Sequence, residues 1–299
     1  MLILDLFKRE SGVGKGKMAG IREIPVVFGS NGIKLNGKVL LPKDASARNP
    51  VPGAVLCHGF GAGYRAMDPS ARIMTSQGIA TIIFDFRGHG SSEGVVDGRM
   101  LDDAVDAWGV LSQFPEVDKE RMGLVGHSLG AMSAILAAQK VDNPRVLISL
   151  SCPPELSAEM VNEEPEKVGR WGWDGSTIVE YPRQGAFPWL KGIAALLCRI
   201  WMYLGRFSVR VDWEKFVAAI PQLKMSEVVG ELDGCSKLFV FCEGDSVTPY
   251  PKCALVYEVA CEPKEMLLAK GGIHTTPLLP GTLRSQWINW AVRALSDIR

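Results

Sequence analysis

Short, nearly continuous apolar runs alternate along this chain with longer stretches in which apolar residues recur every three or four positions. Two early runs, Ile24–Phe28 and Gly37–Leu41, flank Ser30-Asn31-Gly32 and read as an antiparallel pair around a tight turn. Six further runs, Gly53–Cys57, Ala80–Phe84, Met122–Val125, Arg145–Leu150, Leu238–Cys242 and Lys264–Leu268, read as sheet strands. Helical spacing fills the gaps at about Arg65–Ser76, Met100–Gln113, Ala131–Lys140, Pro251–Ala260 and Thr282–Leu295. The alternation predicts an α/β protein with a mostly parallel, eight-stranded sheet and helices on both faces.

The rhythm breaks once. Between the run ending near Ser151 and the one starting near Lys237 lie roughly eighty residues, where an ordinary connection takes a few to a dozen. Five of the eight tryptophans fall there: Trp171, Trp173, Trp189, Trp201 and Trp213. Residues 152–232 are therefore expected to form an inserted, mainly helical cap on a core made of 21–151 and 233–299. At 100° per residue, Leu190, Ile193, Leu197, Ile200, Trp201 and Leu204 share one side of a helix, with Lys191, Arg199 and Arg206 opposite. Such a stripe is first a packing surface, and Trp189 and Trp201 are its candidates for contact with substrate. Charges interrupt the stretch well short of the ~18 apolar residues of a membrane span.

Composition narrows the class. A chain of 299 residues that is 47% hydrophobic and 22% charged can bury one large core. Lys+Arg and Asp+Glu each number 33, so no net field draws the protein to nucleic acid or an anionic membrane. Seven cysteines without a C-x-x-C pair, two of them (Cys57 and Cys242) inside apolar runs, read as reduced thiols and point to the cytoplasm. The start, Met1-Leu2-Ile3-Leu4-Asp5, lacks the basic region of a signal peptide. Ser11–Met18 lacks both the first glycine and the final hydroxyl of a phosphate loop. Residues 1–20 are read as a flexible leader.

The candidate chemistry centres on Gly126-His127-Ser128-Leu129-Gly130, which lies between a strand and a helix. A serine on such a turn, with glycines allowing close backbone approach, has the form of a nucleophile elbow. Its base must come from four histidines: His58, His89, His127 and His274. The first three belong to glycine-rich motifs around the turn. His274, in the loop after Met266-Leu267-Leu268-Ala269, is the base by elimination and by position. The orienting carboxylate should follow another strand, and Asp245, just beyond Lys237–Cys242, fits. Glu243 competes but precedes the turning glycine; Asp233 lies at the strand's other end; and Asp245 also suits an ordinary Asx turn. Two oxyanion donors are expected from backbone N–H groups, that of Leu129 after the nucleophile and that of Phe60 in His58-Gly59-Phe60-Gly61.

Together with Phe84-Asp85-Phe86-Arg87-Gly88-His89-Gly90-Ser91-Ser92, Gly244-Asp245 and Gly271-Gly272-Ile273-His274, these motifs resemble the α/β-hydrolase superfamily. The likeness spans roughly Ile24 to Arg299 apart from the insertion. It is greatest to small serine esterases of the cinnamoyl-esterase-like and serine-aminopeptidase-like branches. The resemblance implies an α/β-hydrolase fold with a lid after the sixth strand. It also implies a Ser128-Asp245-His274 triad, Phe60 and Leu129 at the oxyanion, and no metal or organic cofactor. The serine at the elbow sets the chain apart from dehalogenases and epoxide hydrolases, which carry aspartate there. The expected reaction is hydrolysis of a small ester with an apolar acyl or aromatic part, with thioester or aminoacyl substrates open to the same machinery. Two rivals remain. A dinucleotide site at Gly59-x-Gly61 has Tyr64 where its third glycine belongs, and a non-catalytic binding protein leaves a filled triad without purpose.

Overall fold

The computed structural model describes residues 20–155, 169–171, 177–180, 208–219 and 224–297. Two opening strands, β1 (Ile21–Ser30) and β2 (Ile33–Pro42), form the expected hairpin, with Asn31 and Gly32 both at positive φ in its turn. There follow β3 (Val51–Cys57), α1 (Asp68–Ser76), β4 (Ala80–Phe84), α2 (Asp103–Ser112), β5 (Val117–His127), α3 (Leu129–Ala138) and β6 (Val146–Leu150). The insertion contributes β7 (Gly169–Trp171), β8 (Thr177–Glu180), β9 (Ser208–Val211), α4 (Trp213–Ala219) and α5 (Met225–Val229). The chain then returns through β10 (Ser236–Cys242), α6 (Tyr250–Val259), β11 (Lys264–Ala269) and α7 (Thr282–Ser296).

Eight of these strands make one sheet in the order β1-β2-β4-β3-β5-β6-β10-β11, antiparallel at β1–β2 and β2–β4 and parallel elsewhere. The apolar runs are explained by burial on both sides. Phe84, Leu124 and Phe239 point into one core with α2, α3 and α6, whereas Ile83, Val125 and Val240 point into another with Trp287 and Ile288 of α7. The parallel strands all run the same way, so the loops after β3, β4, β5, β10 and β11 converge at one edge. Open α/β sheets bind ligands at that carboxyl edge.

In the eight-stranded core, element types agree with the sequence reading and the differences lie at the ends. β5 begins at Val117 rather than Met122 because Val117 and Asp118 already pair with Val51 and Pro52 of β3, and the polar residues 119–121 form an irregularity before pairing resumes at Met122. Before α1 and α2 the apolar spacing extends into short 3₁₀ turns, Tyr64–Ala66 and Arg99–Leu101. In the insertion, β7, β8 and β9 form a small antiparallel sheet that apolar periodicity did not reveal. Trp189, Trp201 and the stripe from 188 to 205 lie outside the described residues, as does the leader 1–19. Among the described residues, no helix is long and apolar enough to cross a membrane.

Candidate active site

The turn after β5 is held under backbone strain. Ser128 has φ 55° and ψ −120°, a region that costs a non-glycine residue free energy and survives where its surroundings impose it. They do so here. The Ser128 N–H donates to Leu150 O at 2.9 Å, and its carbonyl accepts from Ala131 N at 2.8 Å as α3 begins. A Cβ on Gly126 would strike the Gly130 carbonyl, and one on Gly130 would strike the Cys57 carbonyl. Glycine at both places lets strand, turn and helix close on each other. Ser128 itself stays partly exposed.

The loops after β10 and β11 meet beside this turn. His274 Nδ1–H donates to Asp245 Oδ2 at 2.8 Å, with 17% of the histidine side chain exposed and 1% of the aspartate. Gly244 N donates to Gly272 O at 2.9 Å and ties the two loops together. On the other side, the His127 ring Nε2–H donates to the His274 carbonyl at 2.8 Å, so the residue beside Ser128 grips the backbone of His274. The carbonyl can only accept, which fixes this tautomer. Burial, then the neighbouring His274, depress the His127 imidazole to about 3, keeping it neutral.

Asp245 serves two structures at once. Its Oδ1 accepts the N–H groups of Val247 and Thr248 at 2.9 and 2.8 Å, an Asx-type turn, while Oδ2 faces His274. The Thr248 hydroxyl donates to the same Oδ2 at 2.6 Å and lies 3.2 Å from His274 Nδ1. Burial pushes the carboxyl pKa up, but the hydrogen bonds from His274 and Thr248 outweigh it and hold the group at about 2. Glu243 is exposed. Thr248 was missed from sequence because a hydroxyl three residues after an aspartate is ordinary turn composition.

Leu129 follows the serine directly, and Phe60 lies in the loop that passes it. Leu129 is the first residue of α3, so its N–H has no acceptor within the helix. Gly59 passes so close that a Cβ there would sit 3.4 Å from Ser128 Cβ and 3.1 Å from His127 Nδ1, which places Phe60 next in line.

The loop bearing Phe60 is fixed by its neighbour after β4. His58 Nε2 accepts the Phe86 N–H at 3.1 Å, and His89 Nε2 accepts the Gly61 N–H at 3.0 Å. Their Nδ1–H groups donate to Gly59 O at 2.8 Å and Arg87 O at 3.1 Å, leaving no ring nitrogen free. Both rings are fully buried, and burial leads in lowering both pKa values. Asp85 spans the same gap, accepting from Tyr64 N at 2.8 Å and Ser91 N at 3.0 Å. Arg87, buried against Asp103 at 2.7 Å and Asp97 at 3.4 Å, anchors the far end. The insertion is fastened here too, with Arg210 N donating to Gly88 O and Val96 N to Arg210 O, both at 2.9 Å.

A strained serine after a central parallel strand, with an Asp–His pair on two later strand-end loops, is the arrangement of α/β hydrolases. A model of the alpha/beta hydrolase family matches residues 54–290, and the chain belongs to that family. Over 150 residues it is 32% identical to the thiohydrolase aneE of Aspergillus aculeatus, covering 44% of this chain and 45% of that protein. The chain thus spans less than half the length of this relative. The solved alpha/beta hydrolase GrgF from Penicillium sp. sh18 shares the fold at TM-score 0.68 and 19% identity, over 93% of this chain and 100% of its own. The acetyl xylan esterase from Paenibacillus sp. R4 does so at TM-score 0.65 and 18% identity, over 98% and 93%.

Proposed function

We propose that this protein is a serine hydrolase that cleaves a carboxylic ester through an acyl-enzyme, with Ser128 as nucleophile, His274 as base and Asp245 as its orienting carboxylate. The observation that carries the reading is the 2.8 Å Asp245–His274 hydrogen bond laid beside the strained Ser128 turn. With Nδ1–H committed to Asp245, a neutral His274 offers its Nε2 lone pair to accept the Ser128 proton. Ser128 Oγ then attacks the substrate carbonyl, and the Leu129 and Phe60 N–H groups stabilise the oxyanion. Collapse expels the alcohol, which takes the proton from His274. Water, deprotonated by the same imidazole, releases the acid and restores Ser128. No step calls for a metal or an organic cofactor. Residues 152–232 act as a cap over the cleft.

A thioester is the second reading, favoured by the 32% identity to a thiohydrolase. The machinery is the same, with a thiol as leaving group. The test is labelling of Ser128 by a fluorophosphonate, read by peptide mass, beside a panel of esters, thioesters and aminoacyl amides. Labelling at Ser128 and its loss in Ser128→Ala, with turnover falling by about 10⁶, is the expected result. A Ser128→Ala protein that hydrolyses esters at the wild-type rate refutes the mechanism.

A further inference from the structure

The indole Nε1 of Trp213 is covered from solvent and meets no hydrogen-bond acceptor among the described residues. An indole N–H can only donate, and a buried one ordinarily has a partner. Trp213 opens α4, with its ring 6.4 Å from that of Phe60 and 6.1 Å from that of Phe216, while Phe60 and Phe216 stack at 6.3 Å. Phe216 is buried and serves as the packing member of this triangle; Phe60 and Trp213 are partly exposed. Phenylalanine at 213 would fill the same corner without burying a donor. The ring that carries this unmatched N–H thus neighbours Phe60, in the loop that passes Ser128, and follows directly on the segment that fastens the insertion to the core.

We propose that Trp213 is a specificity-determining residue whose indole N–H donates to an oxygen of the substrate beyond the scissile carbonyl. The preferred substrate class is then an ester or thioester carrying a keto or ether oxygen, rather than a plain hydrocarbon ester. This proposal rests on the serine hydrolase reading, and its test separates the two.

Two matched sets of esters place the oxygen on either side of the carbonyl. On the acyl side, p-nitrophenyl hexanoate is compared with its 4-oxo and 5-oxo forms. On the alcohol side, butyl hexanoate is compared with 2-methoxyethyl hexanoate, in which one methylene becomes oxygen. An oxygenated ester in one arm is expected to exceed its plain partner roughly ten-fold in kcat/KM, the scale of a single hydrogen bond. That ratio is expected to fall toward one in Trp213→Phe. Should this variant not fold, 3-benzothienylalanine at 213, which exchanges only the N–H for sulfur, replaces it. No preference in either arm overturns the proposal, as does a preference that survives loss of the N–H. Fluorophosphonate labelling of Ser128 in the same preparations assigns the failure. If Ser128 labels and plain esters are cleaved, Trp213 alone was misread; if neither occurs, the serine hydrolase reading falls and the proposal with it.

Discussion

On the β3–β4 side of the cleft, His58 and His89 are fully buried, and each accepts a backbone N–H from the neighbouring loop. On the β10–β11 side, His274 keeps part of its ring exposed and rests on a carboxylate. Four histidines in one chain thus divide by environment. A buried imidazole with both nitrogens spent on backbone groups cannot take a proton without breaking a hydrogen bond and burying a charge. It serves as a brace for the loop that carries Phe60. His127 is a brace of the opposite tautomer, holding His274 by its carbonyl. Of the four, only His274 is hydrogen-bonded to a carboxylate, placed to stabilise the imidazolium that the proposed proton transfer creates.

The largest effect on this comparison should come from removing that anion. Asp245→Asn should lower kcat by about 10⁴, the scale seen when the orienting carboxylate of a triad is neutralised. The fold should persist, since an amide oxygen can still accept the turn N–H groups of Val247 and Thr248. Steady-state kinetics beside circular dichroism check both halves, and a kcat within ten-fold of wild type would show that His274 does not need Asp245.

The brace side should break differently. His89→Phe leaves the Gly61 N–H without its acceptor, a loss worth about 1–3 kcal/mol for a buried donor. Urea unfolding should register that loss, and kcat should fall roughly ten- to a hundred-fold as the Phe60 loop relaxes. The comparison fails if stability is unchanged and activity is abolished, for His89 would then be acting on substrate.

Much of the arrangement was legible in the sequence because the residues proposed to carry the chemistry sit at strand ends. Ser128, Asp245 and His274 each follow an apolar run, and strands buried on both faces announce themselves in single sequences. The partnerships of His58 and His89 were not legible. They depend on β3 and β4 lying side by side, and no pattern in either loop records which N–H meets which ring. Nor was the attachment of β9 to Gly88 and Val96, made by backbone groups that any residue carries. Asp245 suits an Asx turn and a partnership with His274 alike, and its carboxylate makes both, with Oδ1 in the turn and Oδ2 on the imidazole.

Thr248 offers a smaller sharpening. Thr248→Val keeps the shape and removes the hydroxyl that donates to Asp245 Oδ2 at 2.6 Å. Hydrogen bonds to charged groups are worth about 1.5–3 kcal/mol. Part of that falls on the ground state, so kcat should drop roughly ten-fold with KM little changed. The carboxyl pKa should also rise from its depressed value, because one of the groups holding it at about 2 is gone. Titration of the Asp245 side-chain carbon by NMR reads that shift; an unmoved pKa would mean that the hydroxyl serves only the turn.

The smallest effect belongs to the competing carboxylate. Glu243 lies two residues before Asp245, so charge alone does not separate them. Geometry does. Glu243 is exposed to solvent, where a single charge is screened by water and salt, whereas Asp245 is buried with its Oδ2 on the imidazole. Glu243→Gln should therefore change kcat/KM by less than about two-fold, the scale of an exposed charge worth under ~0.5 kcal/mol. Raising the salt concentration should erase even that difference, which would leave the effect of Asp245→Asn untouched. A loss in Glu243→Gln comparable with that in Asp245→Asn would mean that the carboxylate acting on His274 during turnover is not the one that meets it in this structure.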